Sequence, residues 1–264
     1  MTLSGRVAEA NRRRPIYQAA VADLGKYLGI VTTGYLRKPA VIDRQGHESV
    51  RFVDPVPEDA VLLKFARVVS LNRAALLLCD NGYIQEQAII QRAIEETNED
   101  IIFLSVNITG SGNSGKFSSI LDEFWKEDYE NPSKPVETKI KRAFSRRGIS
   151  AFLHRVFGQP DPSLADGVSR AIFDMYSGFT HGAAPQIMEL YDFDNHRFLT
   201  QGLSGTNRHL DYVLDLTNSL YRTLLSAATL AKAFGSPELL ELAMKLIQKF
   251  ESDVGAEKLM KEPV

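Results

Sequence analysis

Cysteine is nearly missing from this chain: Cys79 is the only one in 264 residues. An internal disulfide and a cysteine-rich zinc site are therefore excluded. Cys79 lies in the apolar run AALLLC, where a buried, inert thiol is expected. Zinc helices present paired ligands, as in H-E-x-x-H, and none of His47, His154, His181, His196 and His209 falls in that pattern. The G-x-S-x-G of serine hydrolases is missing as well. No metal or cofactor is expected.

Long apolar runs and an excess of charge of one sign are lacking too. No run approaches the ~20 apolar residues that span a bilayer, and MTLSGRVAEANRRR has no apolar centre of the kind a secretory signal carries. The expected location is the cytoplasm, with no membrane partner. Lys and Arg number 31 against 33 Asp and Glu, a net charge of -2 that gives no global pull toward nucleic acid. Positive charge concentrates only in NRRRP (residues 11–15) and KIKRAFSRR (residues 139–147), runs short enough to be solvated helix faces.

What is present is ordinary globular composition, 44% hydrophobic and 24% charged, enough to bury a sizeable core. At this length one large domain is favoured over two unequal ones. The expected organisation is a single helical domain over 1–264, with 1–55 as an N-terminal extension and 57–250 as the bundle core. Disorder is expected only at the ends, with the final dozen residues a frayed tail.

Spacing of apolar residues by three and four dominates. Residues 1–36 read as helical, with Pro15 suited to the first turn of a helix carrying Ile16, Ala19, Ala20, Leu24, Tyr27 and Leu28. Between 38 and 57 the pattern turns β-rich, AVID and SVRFV flanking RQGHE, which allows a small hairpin or an irregular loop. Pro57 opens a helix through Cys79, Asn81-Gly82 stops it, and another begins near Tyr83, so the two should form an antiparallel hairpin. A short helix is expected over 117–129, a polar linker over 134–138, and helical spacing from Ile140 to Val156, broken near Gly148. The next should start at Ser163, with Asp166 as a capping-box acid and Leu164, Val168, Ala171, Ile172, Met175 and Phe179 as its apolar stripe, and end at Gly182 and Pro185. HRFLTQ reads as extended. A long amphipathic helix over 210–234 and a last one capped by Ser236 with Pro237 in its first position complete the chain. The fold class is all-α: a multi-helix bundle built on antiparallel helical hairpins, with at most a small β-hairpin near residues 40–54.

Two stretches could carry chemistry. In GSGNSGKFSS, Gly110, Gly115 and Lys116 reproduce the G-x-x-x-x-G-K of a phosphate-binding loop. Phe117 stands where Ser or Thr should hold Mg²⁺, so a flexible loop capped by Ser114 is the better reading; nucleotide binding through 110–116 is the second alternative. The other stretch is MYSGFTHG. Tyr176 and Thr180 are four apart, as are Ser177 and His181, and His181 falls in the last helical turn. There the helix dipole favours imidazolium, which suits an anion beside hydroxyls, while the neutral ring could act as a base. Capping or packing alone is an equal reading of His181. Arg92 and Glu96 share a face of an earlier helix, with Glu95 and Glu99 close by; a surface ion pair is the plain reading.

The combination of Arg92-x-x-x-Glu96 after a helical hairpin, Phe124-Trp125, and Tyr176-Ser177-x-x-x-His181-Gly182 resembles a family of uncharacterised bacterial helical proteins distantly allied to HEPN bundles, over roughly residues 57–190. HEPN bundles include abortive-infection and toxin ribonucleases. The resemblance implies an all-helical homodimer in which Arg92, Glu96, Tyr176, Ser177 and His181 converge on one site. Arg92 would bind phosphate, Glu96 would orient it or His181, His181 would be the acid or base, and Tyr176 and Ser177 would hold the substrate. The HEPN ribonuclease pattern, Arg separated from His by four to six residues, occurs here only at Arg147 and His154, and Gly148 replaces the usual polar residue. The function expected is a cytoplasmic, defence-associated protein acting on RNA or a nucleotide, with metal-independent ribonuclease-like activity. The alternative is a non-enzymatic helical interaction or dimerisation module, in which the same residues lock helices together.

Overall fold

In the computed structural model the described residues are 3–126 (apart from 45, 46, 113 and 114), 146–157 and 174–255. The fold is all-α, and among the described residues strands are confined to two small antiparallel pairs. The core is a group of long helices: α1 (Leu3–Tyr35), α2 (Pro57–Asp80), α3 (Ile84–Ile108), α8 (Asn207–Ala233) and α9 (Pro237–Val254). Between α3 and α8 come α4 (Phe117–Trp125), α5 (Arg146–Val156), α6 (described over 174–180) and the single turn α7 (Ala184–Ile187).

Pro15 does not open a helix; it lies inside α1, which runs unbroken for 33 residues. A proline there forfeits one backbone hydrogen bond. Burial offsets the loss: Tyr17, Leu24, Tyr27 and Val31 are shut into the main core by α2, α8 and α9. Both tyrosines find polar partners, Tyr17 with the Thr217 hydroxyl at 2.6 Å and Tyr27 donating to the Ala227 carbonyl at 3.0 Å. The stretch read as an N-terminal extension thus supplies a face of the bundle.

Helices α2 and α3 form the expected hairpin. Gly82 takes a left-handed conformation (φ 76), and the Gly82 and Tyr83 amides donate back to the Cys79 and Leu78 carbonyls, both at 2.9 Å. This satisfies two of the carbonyls that a helix end leaves open. The Cys79 carbonyl also accepts from a side chain. His209, at the start of α8, accepts at Nδ1 from the Gly205 amide (3.2 Å), so Nε2 carries the proton and donates to the Cys79 carbonyl at 2.6 Å. His209 is thereby a buried structural pin between α8 and the α2 terminus. Cys79 is buried, and desolvation pushes its thiol up to about 12, the inert state expected of it.

The hairpin at residues 40–54 is real: β1 (Ala40–Arg44) pairs with β2 (His47–Arg51), Ala40 opposite Arg51 and Ile42 opposite Ser49. Within the HRFLTQ stretch, β4 (Arg197–Phe198) pairs with β3 (Tyr191–Asp192). Helix α4 stops at Trp125, short of the expected Tyr129, because Lys126 is already extended (φ -65, ψ 131). Ser236 caps α9 as expected, its hydroxyl accepting from the Leu239 amide at 3.2 Å. The Ser114 cap, the 134–138 linker, the Ser163 and Asp166 capping pair and the stripe from Leu164 to Ile172 lie outside the described residues.

Candidate functional site: a polar seam along α3

Helix α3 carries Gln87, Gln91, Glu95, Asn98 and Glu99, spaced by three and four and therefore on one face. That face looks inward, and all five are buried. Opposite them α8 presents Ser219, Thr223 and Ser226, also buried, and the two rows interlock. Gln91 donates to the Ser219 hydroxyl, Asn98 to Thr223 at 3.2 Å, and Ser226 to the Asn98 carbonyl oxygen at 2.8 Å. Asn72 of α2 adds a 2.9 Å bond to Thr223, whose own hydroxyl donates to the Ser219 carbonyl. The row of hydroxyls lets three helices share polar contacts where an apolar core would be expected.

Toward α5 the seam becomes charged. Arg222 of α8 donates to Glu95 at 2.5 Å. Arg146, the first residue of α5, reaches the Glu96 carbonyl at 2.9 Å and Asp100 at 2.5 Å, and Lys64 of α2 holds the other Asp100 oxygen at 2.8 Å. Glu99 sits among these groups with its Oε2 buried and without a hydrogen-bond partner. Desolvation raises its carboxyl to about 7, helped by Glu95 and Asp100 and opposed by Arg146 and Arg222. Burial also raises Glu95, against the pull of Arg222.

The residues singled out in the sequence fall around this seam. Arg92 and Glu96 meet, Nε to Oε1 at 3.0 Å, and both are half-buried. The pair is not an open surface bridge: Nη1 of Arg92 is buried and has no hydrogen-bond partner. Tyr176 reaches α3 one turn earlier, packed with Phe179 against Ala88 and Tyr212. Burial raises its phenol above the ordinary value, with the charges of Asp215, Glu95 and Arg222 bearing on it. Ser177 is half-buried and His181 is exposed on the last turn of α6, which Gly182 (φ 63) closes. Among the described residues no hydrogen bond joins Tyr176, Ser177 or His181 to Arg92 or Glu96. His154 is half-buried in the last turn of α5, and the Arg147 side chain lies outside the described residues.

Glu95, Glu99, Arg146 and Arg222 are the members that sequence reasoning did not place in a site. Glu95 and Glu99 had a visible signal, one polar face at helical spacing, which on paper is the same as a solvated face. Arg146 fell in the basic run 139–147, which reads as a solvated face, and Arg222 had no signal. The segment from Gly110 to Lys116 follows a helix, α3, rather than the strand that leads into a phosphate-binding loop, and Lys116 sits just before α4. Among the described residues no helix is long and apolar enough to cross a membrane, and no group of three His, Cys, Asp or Glu is placed to hold a metal ion. No family model, curated protein or solved structure matches this chain.

Proposed function

We propose that the protein is a HEPN-like, defence-associated helical bundle of the cytoplasm that acts on RNA or a nucleotide as a homodimer, without a metal. The observation that carries the reading is Arg92: its guanidinium is held by Glu96, yet Nη1 remains buried with no protein acceptor. Leaving a charged donor unmet is costly in a finished core and useful where a phosphate oxygen is to be received. Tyr176 packs on the same helix one turn away, and His181 is exposed on the last turn of α6. In this reading Arg92 binds phosphate, Glu96 fixes its guanidinium, Tyr176 and Ser177 line the entrance, and His181 transfers the proton.

The test is cleavage or binding of mixed-sequence RNA in the presence of EDTA. Wild type should act, His181→Ala should lose cleavage while still binding, and Arg92→Ala should lose both. Wild type inert toward varied RNAs and nucleotides removes the enzymatic reading. The interlocked Asn72, Asn98, Thr223 and Ser226 favour a second one, a non-enzymatic interaction module whose polar residues lock helices together. It requires Arg92→Ala and His181→Ala to lower stability together and non-additively.

A further inference from the structure

Between the β1–β2 hairpin and α4 the structure holds a cavity of about 680 Å³. Voids inside packed cores are rarely larger than a water molecule, whereas small-molecule sites run from roughly 300 to 1,000 Å³, so this one has the volume of a ligand site. Separate elements line it: Ile42 of β1, Phe52 just past β2, Leu63 of α2, and Phe124 and Trp125 at the end of α4.

The apolar surface gathered here is not used up by the fold. Phe117, Ile120, Leu121, Phe124 and Trp125 of α4 lean on the main core, yet no residue of that helix is fully buried. Leu36, Val53 and Leu63 line the same cavity and stay exposed. Apolar side chains that converge on a concavity without closing it leave surface for a ligand to cover. The aromatic part is already ordered. Phe52 meets Trp125 edge-on, ring centroids 6.3 Å apart, and Trp125 meets Phe124 edge-on at 4.7 Å. Lys64, which holds Asp100 of α3, places its ammonium 4.7 Å from the centre of the Phe124 ring. A ligand would therefore spend little of its binding energy on arranging these walls.

Charge then narrows the ligand class. Among the described residues that line the cavity, the ionisable ones are both cations, Arg51 and Lys126, and none is acidic. Both are exposed, which puts them at the mouth rather than among the aromatic rings. Arg51 gives one N–H to the Val50 carbonyl at 2.9 Å, and a guanidinium has five to give. An apolar interior under a cationic mouth matches a molecule with an apolar body and one anionic end, and a carboxylate suits a guanidinium in shape as well as in charge.

We propose that this cavity binds a small amphipathic carboxylate, its apolar body against Phe52, Phe124 and Trp125 and its carboxylate between Arg51 and Lys126. The site is independent of any action on RNA or a nucleotide and gives the protein a second class of ligand.

Trp125 is the only tryptophan in the chain, so its fluorescence reports on the cavity directly. The probe is decanoate, titrated into the full chain at neutral pH below the concentration at which it forms micelles, with decanol and acetate in parallel to supply the body and the head alone. Decanoate should shift the Trp125 emission to the blue and saturate at one molecule per chain by calorimetry. It should bind about tenfold more tightly than decanol, and acetate should leave the emission unmoved. The double variant Arg51→Gln and Lys126→Gln should bind decanoate only as tightly as decanol. Leu63→Glu, at an exposed position of α2, sets a carboxylate at the cavity wall and should abolish decanoate binding, with circular dichroism confirming the fold of both variants. No saturable shift with decanoate, equal affinity for decanol in wild type, or decanoate binding that survives in Leu63→Glu overturns the site. An emission maximum that moves with protein concentration before ligand is added also overturns it, because a second copy of the chain would then be what covers the cavity.

Discussion

Replacing Glu99 with glutamine should make the protein more stable at alkaline pH and leave it nearly unchanged at acid pH. In the unfolded chain the carboxyl titrates near 4.5, and in the folded protein at about 7. The folded state therefore binds this proton more tightly. Its contribution to stability is fully present below pH 4.5, falls as the pH rises toward 7, and is lost above that. A displacement of that size, at 1.36 kcal/mol per unit, corresponds to ~3 kcal/mol between pH 4.5 and pH 8. The attraction of Arg146 and Arg222 is already included, because without it burial would raise the carboxyl further. Glutamine has the same shape and no charge at any pH, so it removes the proton linkage while retaining the volume.

Urea denaturation followed by circular dichroism, at pH 5, 6, 7 and 8 in phosphate-free buffers, measures this directly. The variant should gain on wild type steadily from pH 5, reaching an advantage of about 2–3 kcal/mol at pH 8. Both proteins will keep some slope of the same sign from Glu95, and a slope of opposite sign from Glu9, which Arg12 holds down at about 2. The Glu9 contribution cancels in the difference between the two proteins, and the Glu95 one does so in part, because its charge bears on Glu99. Parallel curves with a constant offset would refute the claim that Glu99 is a buried neutral acid.

Thr223→Val keeps the shape of a side chain that accepts from both Asn72 and Asn98, and should cost about 1–3 kcal/mol in urea denaturation because two buried amides lose their acceptor. Arg222→Met should cost a similar ~1–3 kcal/mol by leaving Glu95 buried without its cation, and Glu95→Gln in the same chain should recover part of the loss. Gly82→Ala should lower stability by about 2 kcal/mol or more, since its φ of 76 disfavours any side chain and the added methyl would stand 2.5 Å from the Ser204 amide nitrogen.

The elements most legible in the sequence were those that punctuation and apolar spacing both mark. Asn81-Gly82 and Ser236-Pro237 end and start helices in the structure as they do on paper, because backbone geometry and capping are local properties of the residues that carry them. Pro15 misleads for the opposite reason. A local rule places it at a helix start, but the burial of Tyr17 and Tyr27, fixed by helices some 200 residues away, outweighs one lost backbone bond. Of the candidate site, Arg92 and Glu96 could be paired from spacing alone, and Tyr176 does reach α3, but at Ala88 rather than at that pair.

The seam was invisible because a polar stripe says nothing about what faces it. Gln87, Gln91, Glu95, Asn98 and Glu99 would suit a solvated face, and Ser219, Thr223 and Ser226 interrupt the apolar run of α8 with no obvious purpose. Each row makes sense only against the other, at contact distance. The two halves of the seam also differ in kind. Where α2, α3 and α8 meet, the side chains bond mainly to one another, and the polar contacts hold the helices in register. Neither half is fully satisfied: Asn72 Oδ1, Gln87 Oε1 and Gln91 Oε1 are buried without a partner in that half, and Arg92 Nη1 and Glu99 Oε2 in the half toward α5, where Arg146 and Arg222 reach solvent. A core that needed only stability could have removed that cost with apolar side chains of the same volume. The unmet atoms at the charged end belong to ionisable groups, Arg92 and Glu99, whereas those at the other end are the amide oxygens of Asn72, Gln87 and Gln91, and that difference in kind sets the two halves apart.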